Sequence, residues 1–197
     1  MSVIIAFVGM TGAGKSTAAE SLLARGWSYI RFGQVTIDRL KEAGQAINPE
    51  NEKAMREGLR REKGMGAFAM LSLPSLQKAV RTGPVVIDGL YSWSEYKILR
   101  DAFGDTLKVV AIYASPKTRY GRLEKRTHDA ASDPNYQRRP LSPEQGRQRD
   151  FAEIENIEKG GPIAMADCTI SNEFNMAHLA SQVLAYADSV AGKNEES

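Results

Sequence analysis

IIAFVGMTGAGKSTAAESLLARG, residues 4–26, decides how this chain is read. An apolar run, residues 3–8, breaks into glycines, then into a lone lysine and a stretch of helical spacing that stops at Gly26. Within it, GMTGAGKS fits G-x-x-x-x-G-K-[ST] at Gly9, Gly14, Lys15 and Ser16. Chance would put that pattern in on the order of one chain in a hundred at ordinary residue frequencies. A buried strand leads in and a helix leads out, as required of a loop that aims backbone N–H groups and a positive helix terminus at polyphosphate oxygens. Glycine serves where a Cβ would strike the phosphate or where the backbone angle is closed to other residues. The pattern predicts that Thr11, Gly12 and Ala13 lie in the phosphate loop. Lys15 then bridges the β- and γ-phosphates of ATP, and Ser16 places its hydroxyl on Mg2+. Thr17 faces either the phosphates or the helix surface.

The chain has 197 residues, enough for one domain with a buried core. Lysine and arginine total 26 against 24 aspartates and glutamates, too even a balance for a dedicated nucleic-acid binder, so no nucleic acid is expected. Cys168 is the only cysteine, which excludes an intrachain disulfide and points to the cytoplasm. The apolar start lacks a basic leader and is shorter than a signal core or a membrane span, so no membrane attachment is expected. Nothing in the sequence sets the oligomeric state.

Short β-branched or aromatic runs recur at residues 3–8, 29–32, 84–88, 108–113 and 167–171, separated by helical patterns. This rhythm predicts an α/β chain with a mostly parallel sheet, and continuously apolar strands imply helices on both faces. Asn48, Pro49 and Glu50 mark the start of a helix running to about Gly64 with Met55 and Leu59 on one face. Phe68, Leu71, Leu76 and Val80 line another that Pro74 bends or interrupts. Met176, Leu179, Val183, Leu184 and Ala187 form an apolar stripe that packs a last helix on the sheet. Residues 33–83 exceed one crossover helix and read as a helical acceptor-binding insertion. Residues 127–150, polar with prolines at 134, 140 and 143, read as a movable lid or a solvated loop. The core is then 1–32, 84–126 and 151–191.

Asp88 ends an apolar strand at the carboxyl edge of the sheet, where open α/β sheets bind ligands. It is the candidate for orienting hydrated Mg2+ or for taking an acceptor's proton. Gly89 follows it, where hydrolytic phosphate-loop motors carry a water-activating glutamate, so transfer to an organic acceptor is favoured over hydrolysis. Ser92 and Glu95 form a capping box with Tyr91 and Tyr96 at the staple positions, and Tyr91 alternatively stacks on a ligand. From Lys117 to Arg149 there are nine basic and four acidic side chains. Arg119, Arg122 and Arg126 fall at spacings of three and four, and Arg122 and Arg126 are the candidates for stabilising charge on a transferring phosphoryl group. Arg31, at the end of the second strand, and Arg56, Arg60 and Arg61 are candidates for holding an acceptor phosphate. Glu52 and Arg56 also suit a plain i, i+4 pair.

With these residues in hand, the chain resembles the phosphate-loop kinases of small molecules, the nucleoside monophosphate kinase and dephospho-CoA kinase group. VVIDG looks like the strand-ending aspartate-glycine of adenylate kinases, YASPKTRYGRLEKR like their lid entry, and MADCTISNE like the AD..I.N ending of dephospho-CoA kinases. The resemblance implies a three-layer P-loop NTPase fold with a five-stranded parallel sheet, a helical acceptor insertion and a closing lid. It also implies a loop carrying Asn172 past the adenine. The exit from the second strand departs from the family: Gly33, Gln34, then Asp38 and Arg39 at a shifted spacing, which makes Gln34 and Asp38 acceptor candidates in altered positions. Leu90, Tyr91 and Ser92 stand where adenylate kinases place a phosphate-gripping arginine. The expected activity is transfer of the γ-phosphoryl group of Mg·ATP to a nucleotide-like acceptor, most simply a (deoxy)nucleoside monophosphate. A dephospho-CoA kinase and a nucleotide-binding switch without chemistry are the alternatives.

Overall fold

The computed structural model describes residues 2–126 and 140–192. Among these, five strands, β1 (Ile4–Val8), β2 (Ser28–Arg31), β3 (Val85–Asp88), β4 (Leu107–Tyr113) and β5 (Cys168–Ser171), form one sheet in the order β2-β3-β1-β4-β5. Every pairing is parallel. All five expected strands are present, and β1 lies at the centre with every residue buried. Successive side chains of a strand point to opposite faces, so a strand covered on both sides must be apolar throughout. Ile4, Ala6 and Val8 enter one core cluster, and Ile5 and Phe7 the other.

The second cluster lies under α1 (Lys15–Leu23) and α9 (Met176–Ala191), through Ala18, Leu22, Leu179, Val183 and Ala187. The first lies under α4 (Ala67–Val80) and α5 (Trp93–Phe103), through Phe68, Leu76, Tyr96 and Leu99. Between β2 and β3 the chain forms α2 (Gln34–Glu42), α3 (Pro49–Lys63) and α4. The Asn48 side chain accepts from Asn51 N–H at the start of α3, as its Asn-Pro-Glu signature predicts. Pro74 lies inside α4 without interrupting it. Near the end of α1, Gly26 N–H returns to Leu23 O and Trp27 N–H to Leu22 O, closing the helix at the expected glycine.

Two connections fix where a ligand can go. The helix leaving β1 covers one face, and that leaving β3 covers the other, so a crevice opens between the carboxyl ends of these adjacent strands. Gly9 and Asp88 stand at its two lips, with Asp88 in register with Phe7.

The reading of 127–150 is corrected in part. Residues 127–139 lie outside the described residues, but 143–150 are no loop: they are the first half of α7 (Pro143–Ile157). Ser142 and Gln145 make a reciprocal capping box with Pro143 in the first turn. Asp150 anchors α7 to α6 (Pro116–Glu124) through a two-pronged ion pair with Arg119, 2.9 and 2.6 Å, and a bond from Tyr120 Oη at 2.9 Å. Arg119 and Asp150 are 4% and 5% exposed. Removing one partner of such a buried pair costs roughly 3–5 kcal/mol. A five-residue helix, α8 (Gly160–Ala164), leads to β5. No helix among the described residues is long and apolar enough to cross a membrane.

The start of α5 carries the expected capping box. Glu95 Oε2 accepts from Tyr91 and Ser92 N–H at 2.9 and 3.0 Å, and Ser92 Oγ accepts from Glu95 N–H. Its Oε1 has no hydrogen-bond partner among the described residues. Burial, outweighing these bonds, pushes the Glu95 carboxyl up to about 7. A raised carboxyl contributes stability below its ordinary pKa and loses it as pH rises through the folded value. The expected outcome is that wild-type stability, measured against Glu95→Gln by denaturant unfolding, falls relative to the variant as pH rises from about 4.5 to above 7. A difference independent of pH would contradict it.

Candidate active site

The loop between β1 and α1 is shaped by close approach. Gly9 has φ +137°, and a Cβ there would lie 2.3 Å from the carbonyl oxygen of Ile112 on β4. Gly14 has φ +105°, and a Cβ there would lie 2.3 Å from Asn172 Nδ2. Asn172 is itself buried, and its amide donates to Ala13 O at 2.8 Å while its backbone N–H donates to Tyr113 O. Its side chain thus braces the loop through Ala13 and Gly14.

Lys15 begins α1 and folds back, its Nζ donating to Gly9 O at 2.8 Å and Met10 O at 3.2 Å. Burial, with the nearby charge of Lys159, lowers its pKa to about 7 against the opposing pull of Asp88 and Glu153. Ser16, exposed in the first turn, lies 3.5 Å from Asp88 Oδ2 through its Oγ. Asp88 is 8% exposed and also accepts from Tyr29 Oη at 3.0 Å. Burial and the Asp88 charge raise the Tyr29 pKa, so the phenol stays a donor. Loop residues 12 and 14–17, with Tyr29, Asp88 and Arg126, line a cleft of about 430 Å³ that runs along α1 to Leu23. Thr17 is thus part of the cleft wall.

The hydroxyl and carboxylate at Ser16 and Asp88 are the hard oxygen donors that Mg2+ takes. Among the described residues no group of three or more His, Cys, Asp or Glu could hold a metal alone. An ion here would draw its remaining ligands from phosphates and water, and the donor set fits one that arrives with a nucleotide.

The three arginines of the basic stretch part company. Arg126 reaches the cleft. Arg122 turns to the loop before α9, where its Nη2 donates to Phe174 O at 3.4 Å, so it is not brought to Lys15 and Asp88. The spacing rule failed because α6 ends at Glu124, and Arg126 lies beyond its cap at Lys125. Arg119 is core, donating to Thr11 O and Ala114 O besides holding Asp150.

Of the acceptor candidates, Arg31 is half-buried at the end of β2 and makes no ion pair among the described residues; its charge is felt at Tyr29 and Tyr91. Gln34 and Asp38 bond to each other on the exposed side of α2, at 2.8 Å. Arg60 stacks on Phe68, 5.2 Å to the ring centre, with its Nε buried and unpartnered. Arg56 pairs with Glu52 at 3.2 Å, the plain i, i+4 contact. Tyr96 stacks on Trp93, while Tyr91 lies beneath Lys159, whose Nζ is 4.8 Å from the ring centre.

Three residues at the site carry no sequence signal of their own: Glu153, Lys159 and, within the basic cluster, Arg149. Thr11 Oγ1 donates to both Glu153 oxygens, at 2.8 and 3.1 Å, and Glu153 is paired with Lys159 and Arg149. Burial opposes its ionisation, but Lys159 and Arg149 hold the carboxyl down at about 2.

The UPF0200 protein of Pyrococcus furiosus is 33% identical to this chain over 183 residues, 92% of the chain and 94% of the relative. A family model described as an AAA domain matches residues 5–142. The chain belongs to the UPF0200 family and carries an AAA domain. A second UPF0200 protein, from Methanoculleus marisnigri, is 30% identical over 98% of this chain and 99% of its own length. Among solved structures, a gluconokinase from Sinorhizobium meliloti superposes with a TM-score of 0.57 at 15% identity, covering 98% of this chain and 95% of that one. Shikimate kinase from Acinetobacter baumannii gives 0.57 at 17% identity, covering 96% and 94%. At these identities the likeness is one of fold: this UPF0200 chain has the fold of small-molecule P-loop kinases.

The loop geometry yields a direct test. Gly9→Ala should abolish nucleotide binding measured by calorimetry and lower stability by more than about 2 kcal/mol, because strained backbone and an overlap with the backbone of Ile112 coincide. Wild-type affinity in that variant would contradict the loop's role.

Proposed function

We propose that this chain is a phosphotransferase that moves the γ-phosphoryl group of Mg·ATP to a nucleotide-like small molecule, a (deoxy)nucleoside monophosphate first among the candidates. The observation that carries the reading is the convergence of Lys15, Ser16 and Asp88 at the crevice where the connections of β1 and β3 part to opposite faces. Loop amides and Lys15 would hold the donor phosphates, and Ser16 and Asp88 would hold the ion. Bound Mg2+ would neutralise charge on the phosphate oxygens. Arg126, on the cleft wall, is placed to meet charge developing on the transferring group.

The acceptor side is the stretch from β2 to β3. Arg31, which makes no ion pair among the described residues and whose charge is felt at Tyr29 and Tyr91, is the favoured cation for an anionic acceptor, with Arg60, over the Phe68 ring, a second candidate. An acceptor that attacks through a phosphate oxygen forms the new P–O bond as the bond to ADP breaks, with no proton to remove. That chemistry suits a site whose Asp88 is already engaged by Ser16 and Tyr29. A ribose hydroxyl, as in dephospho-CoA, would instead need Asp88 as base.

Nucleoside monophosphates, deoxynucleotides and dephospho-CoA, each supplied with Mg·ATP, should separate under an assay of ADP release. Release with a monophosphate and little with water alone is the expected result, and Lys15→Ala should lower it roughly a hundredfold or more with the fold intact. Tight nucleotide binding with no phosphorylated product from any acceptor would instead mark a switch.

A further inference from the structure

Thr11, Lys159 and Arg149 surround one carboxylate, that of Glu153, with the donor set that a phosphoryl group takes. Thr11 Oγ1 gives two bonds, Arg149 Nε gives one at 3.0 Å, and Lys159 Nζ closes the far oxygen. The seat is built: Lys159 is 1% exposed and the Glu153 side chain 12% exposed. It also lies against the phosphate loop, because Thr11 is the loop's third residue and Glu153 and Lys159 both act on the charge of Lys15. Arg149 contributes a guanidinium whose terminal nitrogens have no partner among the described residues.

A triphosphate that sets its terminal oxygens against Lys15 brings negative charge to a place where Glu153 already supplies it. Like charges held close together in a partly buried site repel strongly. Either the carboxylate is a brace that a nucleotide must tolerate, or it gives way.

We propose that Thr11, Lys159 and Arg149 form an additional phosphoryl seat in which the Glu153 carboxylate stands in for the terminal phosphoryl group of the donor and is displaced by it. Lys159 and Arg149 then contact the transferring group, and Glu153 sets how strongly the site prefers a triphosphate over a diphosphate. The proposal rests on the reading of the loop as an ATP site. It assigns to α7 and the turn before α8 a part in the transfer that the loop motif does not reveal.

The test is calorimetric titration of the full chain with Mg·ATP and, separately, Mg·ADP. Glu153→Gln keeps an oxygen for Thr11 and removes the charge. It should tighten ATP about tenfold while shifting ADP by less than about twofold, a difference of one decade in selectivity. The gain should vanish in Glu153→Gln/Lys159→Met, which leaves no lone buried charge, and thermal unfolding would check both folds. Weaker ATP binding in Glu153→Gln, or equal tightening of both nucleotides, overturns the seat and leaves the ATP site standing. Failure of the wild type to bind either nucleotide overturns both. Wild-type amide exchange decides without a variant: residues 149–157 should exchange faster with a non-hydrolysable ATP analogue than with ADP, and equal or slower exchange overturns the proposal.

Discussion

The backbone between β1 and α1 runs so close to its neighbours that no side chain fits at Gly9 or Gly14, and the rest of the site follows from that contact. Ile112 on β4 bounds the loop on one side and Asn172, beyond β5, on the other. The loop therefore takes its shape from two strands far away in sequence, and it presents its amides only when the sheet is complete. Lys15 can fold back on Gly9 and Met10 because the loop holds those carbonyls in reach.

Charge is arranged around this loop in two ways. Arg119 and Asp150 are buried together, satisfy each other at two points and lend a spare hydrogen bond to Thr11 O. That pair acts as structure. Glu153, Lys159 and Arg149 are also paired, yet they lie against the loop between β1 and α1 and act on the charge of Lys15. Thr11 belongs to both groups, through its carbonyl to the first and its hydroxyl to the second. A single residue thus joins α6 and α7 to the loop between β1 and α1.

The sheet was legible because a strand covered on both faces must be apolar, as Ile4–Val8 is throughout and as β3 is up to Asp88 at its carboxyl end. The loop was legible because its glycines answer a steric demand that few other sequences share. Residues 143–150 read as lid or loop rather than helix because polar residues outweigh apolar ones there, although Ser142, Pro143 and Gln145 carry the same kind of start signature that located α3. What the sequence could not supply were pairings across long separations. Thr11 meets Glu153 across 142 positions and Arg119 meets Asp150 across 31, and no periodicity links them. Arg122 and Arg126 looked equivalent until the end of α6 separated them.

The parallel pairing of β1 also bears on how the chain is made. Ile4 finds its partners at Val85 and Leu107, and no hairpin joins any two neighbouring strands among the described residues. During synthesis β1 must wait, without a partner strand, until residues 85–88 have followed it. Long-range pairing of this kind is slow and leaves sticky intermediates exposed. The apolar strands β1 and β3 therefore stay unpaired at their far edges until β4 and β2 complete the sheet.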